Sequence, residues 1–78
     1  MKGGEIMTNT AKLKAKIIEA GLVQDAVAAQ LGMTSATFNY KLNNKTEFKA
    51  SEIKKLAMIL KLTVEEVFDI FFAEDVDL

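Results

Sequence analysis

The 78-residue chain has no cysteine, histidine, proline, arginine or tryptophan, and only four glycines. Without cysteine there is no disulfide to staple a small fold. Without cysteine or histidine, the usual zinc and haem ligands and both thiol and imidazole catalysis are excluded. No cofactor or metal is expected. The absence of proline removes the strongest breaker of helices. Without arginine, the side chain best shaped to grip a carboxylate, a phosphate or a guanine with two parallel bonds is missing. Apolar runs such as residues 67–68 and 70–73 are short and interrupted by charge, which supports neither a membrane span nor a signal sequence. A soluble, intracellular (cytoplasmic) protein is expected. What remains is a chain in which half of the residues are hydrophobic, enough for one helical core near the lower size limit for independent folding.

The net charge of -1 hides a division. Residues 1–61 hold all ten lysines against five acids, whereas the last seventeen residues hold six acids and no base. Such asymmetry fits an anion-binding part beside an acidic end, and equally an ordinary solvated surface.

Residues 1–10 show no periodicity and are expected to be a flexible N-terminal segment. Lys-Gly-Gly at 2–4 is compatible with a purine-rich ribosome-binding sequence ahead of Met7. A natural start at Met7 and a native N-terminal arm both stay open. From Ala11 the pattern is helical. Asn9 or Thr10 can cap the first turn, Leu13 and Ile17 share a face, and Gly21 sits where a left-handed residue ends a helix. A second helix follows over about Gln24–Leu31, with Val27, Ala28 and Leu31 on one side. Gly32 ends it, and a third helix from Thr34 or Ser35 to about Leu42 carries Phe38 and Leu42 inward. "NNKTEF" reads as a turn in which Asn44 takes positive φ. A fourth helix, about Ala50–Leu60, buries Ile53, Leu56, Ala57 and Leu60. Thr63 and Glu66 then form a capping box ahead of Val64, Val67, Phe68 and Phe71. The fold class is therefore a compact five-helix, all-α domain over residues 11–72, followed by an acidic tail at 73–78.

Two helices joined through a single glycine must pack closely, with a small residue at their contact and little side chain in the turn. Ala28 and Gly32 meet those needs. The outward face of the third helix is left with Ser35, Ala36, Thr37, Asn39, Tyr40 and Lys41. The segment from Gln24 through Val27-Ala28, Leu31-Gly32 and Phe38 resembles the helix-turn-helix of the Cro/CI-type (XRE, lambda-repressor-like) family of small phage and prophage transcription regulators. The resemblance covers about Leu13–Phe72.

That resemblance implies a sequence-specific regulator of transcription, repressor-like, bound to double-stranded DNA with the third helix in the major groove. It places Gln24 on a phosphate and Ser35, Ala36, Thr37 and Tyr40 toward base edges. Asn39 is open to adenine readout or a phosphate contact, and Lys41, Asn43, Asn44 and Lys45 would hold the flanking backbone. Bland alternatives stand beside these: Gln24 solvated, Tyr40 covering the core edge, Lys12, Lys14 and Lys16 as plain surface charge. The chain departs from the family pattern at Val23, where a capping threonine or serine is common, and at Lys61 and Asn44, where glycine is frequent. Lys41 stands where many relatives are apolar. Neutralising about four phosphates would give a log-log salt slope of about -3 to -4.

The apolar excess of the last helix suggests a homodimer through Val67, Ile70, Phe71 and Phe72. A competing reading keeps the fold but makes the chain a protein-interaction module that binds another regulator through this aromatic helix and the acidic tail. No small-molecule effector site is evident. An enzyme is not expected: Glu65, Glu66 and Asp69 have no histidine, cysteine or phosphate loop to complete a site.

Overall fold

The computed structural model describes residues 5–75. Asn9 opens the first helix, α1 (Thr10–Glu19), by accepting the Lys12 amide on its side chain, satisfying one of the orphan donors of a helix start. Four helices follow: α2 (Gln24–Gln30), α3 (Ser35–Leu42), α4 (Ala50–Leu60) and α5 (Val64–Phe71). Thr34 caps α3 through the Thr37 amide. Thr63 and Glu66 close the capping box of α5 reciprocally. Val23 leads into α2 with no side-chain cap, as its apolar side chain requires.

The turns obey the same local chemistry. Gly21 and Gly32 both take positive φ, +74° and +75°. Among the described residues, Asn44 and Lys61 are the non-glycine residues with positive φ, 63° and 55°. The amide of Asn44 compensates for that conformation, whereas nothing in the hydrogen bonding of Lys61's side chain does.

The core is one cluster drawn from every helix: Leu13 and Ile17, Val27 and Ala28, Leu31, Phe38 and Leu42, Leu56 and Leu60, Ile70 and Phe71. Ile53 packs against it half-buried, beside the buried Leu56 and Leu60 on the same side of α4. Phe48, in the segment read from sequence as part of a turn, is buried as well. Its ring lies edge-on between Phe38 at 5.9 Å and Phe71 at 5.5 Å, the favoured geometry for aromatic quadrupoles. This ladder ties α3 and α5 through the loop between α3 and α4.

The ends of the chain differ from expectation. Glu5–Met7 forms a strand, β1, antiparallel to β2 (Ala73–Asp75), with Glu5 opposite Asp75 and Met7 opposite Ala73. Residues 5–7 and 73–75 thus pair as strands inside the segments read from sequence as a flexible arm and an acidic tail. Residues 1–4 and 76–78 lie outside the described residues. The backbone N–H of Asn9 donates to Ile70 O at 2.6 Å, and Thr10 Oγ1 donates to Leu42 O at 2.5 Å. The start of α1 is thereby pinned to the last turns of α3 and α5. No helix among the described residues is long and apolar enough to cross a membrane.

Candidate nucleic-acid interface

Phe38, Lys41 and Leu42 turn inward from α3, which leaves Ala36, Tyr40 and Asn43 along the opposite side at i, i+4 and i+7. All three are exposed, Tyr40 to 61%, as are Ser35, Thr37 and Asn39 on their flanks. The tyrosine ring therefore stands off the core instead of covering its edge. Two apolar anchors on the inner side fix the rotation of the helix, so the outer side is presented rigidly.

Local hydrogen bonds define what this face offers. Thr34 Oγ1 donates to Thr37 Oγ1 at 3.0 Å while accepting the Thr37 amide. Asn43 Nδ2 donates to Asn39 O at 2.9 Å and to Asn39 Oδ1 at 2.5 Å, leaving the Nδ2 donors of Asn39 uncommitted among the described residues. Ser35 Oγ donates to Asp25 Oδ1 at 2.7 Å. That bond joins the first turn of α2 to the first residue of α3 and puts Gln24, the neighbour of Asp25, beside the same end of α3. Gln24 is half-buried and lines a shallow depression with Lys14, Val23 and Asp25. At the other end of α3, the Lys45 amide donates to Tyr40 O at 2.8 Å, folding Lys45 back onto the last turn.

Two expected members are placed otherwise. Lys41 is 7% exposed. Its ammonium donates to Glu47 O at 3.1 Å and pairs with Glu52 at 3.2 Å. At i+3 from Phe38, position 41 turns toward the core, so the lysine stem fills an apolar place and its head must find buried partners. Asn44 is exposed, but its side chain is committed: Oδ1 accepts the Thr8 amide at 2.8 Å and Nδ2 donates to Thr8 O at 3.0 Å. It fastens the segment after β1 to the loop after α3.

Residues 7–74 match the model of DUF739, a family described as proteins of unknown function. The chain belongs to that family. No curated protein matches the sequence.

In this DUF739 chain the charges of the helical face are sparse. Lys12 and Lys14 are exposed on α1, and Lys45 is exposed after α3. Lys16 is held away by Glu66 at 2.5 Å and Glu19 at 3.4 Å. The Glu66 bond raises the Lys16 pKa, and the Lys16 bond in turn holds the Glu66 carboxyl below its ordinary range. Asp25 is a feature that sequence reasoning missed. Its place one residue after Gln24 was visible, but its bond to Ser35 depends on the packing of α2 against α3. The arrangement offers hydroxyls, amides and one phenol on a rigid helix, flanked by a few cations and one carboxylate.

The residues read as a dimer surface divide differently from expectation. Ile70 and Phe71 are 1% and 4% exposed and belong to the chain's own core, and Val67 is half-buried against it. Only Phe72 of the four is exposed. The inward side of α5 is Val67, Ile70 and Phe71, with Val64 and Phe68 exposed; all of Val64 to Phe72 except the three acids is apolar, so the apolar pattern alone leaves the phase open.

Proposed function

We propose that the chain is a sequence-specific regulator of transcription of the Cro/CI type, repressor-like, that binds double-stranded DNA with α3 in the major groove. The observation that carries this reading is the outer side of α3. Six small or polar residues, Ser35, Ala36, Thr37, Asn39, Tyr40 and Asn43, stand exposed on a helix locked from behind by Phe38 and Leu42. A short, rigid, hydrogen-bonding helix of this kind suits the width of a major groove. The match of Gln24, Val27-Ala28, Leu31-Gly32 and Phe38 to the family pattern supports the same docking, with Gln24 on a phosphate at the start of α2.

Chemistry then narrows the mode of readout. With no arginine, guanine loses its commonest bidentate reader. Hydroxyls, the Asn39 amide, the Ala36 methyl and DNA shape carry the discrimination instead. Lys41 is committed to Glu52, so Lys12, Lys14 and Lys45 remain as candidate phosphate partners. Three neutralised phosphates give a salt slope of about -3.

Selection of bound duplexes from a random pool tests the reading, run beside a Gln24→Ala, Thr37→Ala, Tyr40→Ala triple variant whose fold is checked by thermal melting. A site enriched by the chain and not by the folded variant is the expected result. No enrichment at low salt removes the proposal. An interaction with another protein is favoured by a separate observation, the exposed apolar stripe of α5, and the two roles occupy different elements.

A further inference from the structure

Val64, Phe68 and Phe72 follow one another at i, i+4 and i+8 and are 74%, 59% and 42% exposed. That spacing lays them in one stripe along α5. The rings of Phe68 and Phe72 already meet, centroids 5.5 Å apart and planes at 48°. The core has no further use for them, since Val67, Ile70 and Phe71 supply it from the other side of the helix. Phe72 also walls a surface cleft of about 330 Å³ in which Phe48, Phe71 and Ile53 meet Met7 and Lys45. Stripe and cleft are thus continuous through one ring.

The charge beside this surface selects its occupant. Glu65 and Asp69 follow Val64 and Phe68 by one residue, are exposed, and make no ion pair among the described residues. Glu66 lies further round the helix and is held by Lys16. The sequence from residue 62 onward holds six acids and no base. A two-fold contact of the stripe with itself would set Glu65 and Asp69 against the same acids of a second copy, which electrostatics disfavours. Duplex DNA and anionic membranes are repelled for the same reason.

We propose that this face docks a basic amphipathic helix of another protein. Its apolar side chains, spaced i and i+4, lie on Val64, Phe68 and Phe72, one of them enters the cleft beside Phe72, and its lysines or arginines meet Glu65 and Asp69. The docking mode is a helix laid along an apolar face, with charge setting the partner and apolar anchors setting the affinity. It does not depend on the DNA reading, because its apolar stripe and its acids lie on α5 and not on α3; Lys45, at the rim of the cleft, is the one residue that both readings use.

The experiment titrates the full chain with a synthetic amphipathic peptide of about 16 residues, leucine at helical spacing and lysine on both flanks, and with the same peptide carrying glutamate for lysine. The lysine peptide is expected to bind saturably and at least ~10-fold more tightly than the glutamate peptide. Phe68→Ser, and separately the Glu65→Gln, Asp69→Asn pair, each weaken it by about 10-fold or more while thermal melting and duplex binding are unchanged. Equal binding of both peptides, or no saturation up to about 1 mM, overturns the proposal. Self-association in sedimentation equilibrium that Phe68→Ser abolishes also overturns it, and assigns the stripe to a second copy.

Discussion

Lys41 and Glu52 meet at 3.2 Å between α3 and α4, with side chains only 9% and 16% exposed. The pair does more than join two helices. Glu52 Oε1 also accepts the Lys49 amide at 2.8 Å, capping the start of α4. Lys41 also satisfies the Glu47 carbonyl, in the loop that carries Phe48 into the core. One ion pair therefore holds the α3–α4 loop in the shape that the Phe38–Phe48–Phe71 ladder requires. A lysine to which the family resemblance gives a DNA contact is here a structural residue.

Replacing one member alone strands the other in a poorly hydrated place. Glu52→Gln and Lys41→Met are each expected to lower unfolding free energy by about 1–3 kcal/mol in urea titration. The double variant recovers part of that loss, the signature of a coupled pair. On the DNA reading, Lys41→Met is expected to leave the salt slope of duplex binding unchanged. A slope shallower by about one, with stability intact, would return Lys41 to the DNA surface.

The same pair makes a pH prediction. Burial pushes the Glu52 carboxyl upward, but the Lys49 N–H and the Lys41 ammonium outweigh it and hold the carboxyl below its ordinary range. Glu66 is lowered too, first by Lys16 and then by the Thr63 amide. A carboxyl lowered in the folded state contributes stability above its unfolded value, and loses it as pH falls through the folded one. The chain is therefore expected to lose stability below about pH 4, and Glu52→Gln to lose less over that interval. Thermal melting across the acid range measures both. At the alkaline end Lys16, raised by Glu66, contributes stability that is fully present below its unfolded value and disappears only as pH climbs through the higher folded one.

Much of this fold was legible in the sequence where the signal was local. The pairs Leu13–Ile17 and Phe38–Leu42, the glycines at 21 and 32, Asn44 at positive φ and the Thr63–Glu66 box each rest on residues a few positions apart, and each is found as read. What was not legible depends on distant partners. The β1–β2 pair joins residues near opposite ends through three-residue strands too short to show alternation. Phe48 is buried only because Phe38 and Phe71 converge on it. The phase of α5 was ambiguous because two overlapping apolar arcs share one helix. Lys41 read as outward because a charge normally is, and the half-buried Glu52 on α4 makes the other orientation affordable.

Asp25 follows Gln24, the proposed phosphate partner, and its carboxylate accepts from Ser35. Asparagine keeps an acceptor at that place and removes the charge. On the DNA reading, Asp25→Asn is expected to tighten duplex binding by about 3–10-fold at low salt, the equivalent of about 1 kcal/mol for one charge near the surface. The gain shrinks as ionic strength rises. Anisotropy titrations at several salt concentrations measure it. An unchanged affinity would place the α2–α3 junction away from the DNA.

Lys61 and Asn44 share the left-handed conformation and are expected to answer the same substitution in opposite ways. Lys61, at φ 55°, ends α4, and the helix stop is made entirely by backbone: its own N–H and that of Leu62 both reach Ala57 O. Glycine takes that conformation without the clash that burdens a side chain. Lys61→Gly is therefore expected to stabilise by about 0.5–1 kcal/mol, raising Tm by roughly 2–8 °C for a chain of this size. Asn44, at φ 63°, tolerates that conformation more cheaply than lysine and gains less from glycine, and it loses both bonds to Thr8, and with them the link between the segment after β1 and the loop after α3. Two hydrogen bonds at about 1 kcal/mol each exceed the conformational gain, so Asn44→Gly should lower Tm. Amide exchange at Thr8 and through β1 should rise in that variant alone. Equal stabilisation by both glycines would mean that the Asn44–Thr8 clasp contributes nothing to holding the N-terminal segment.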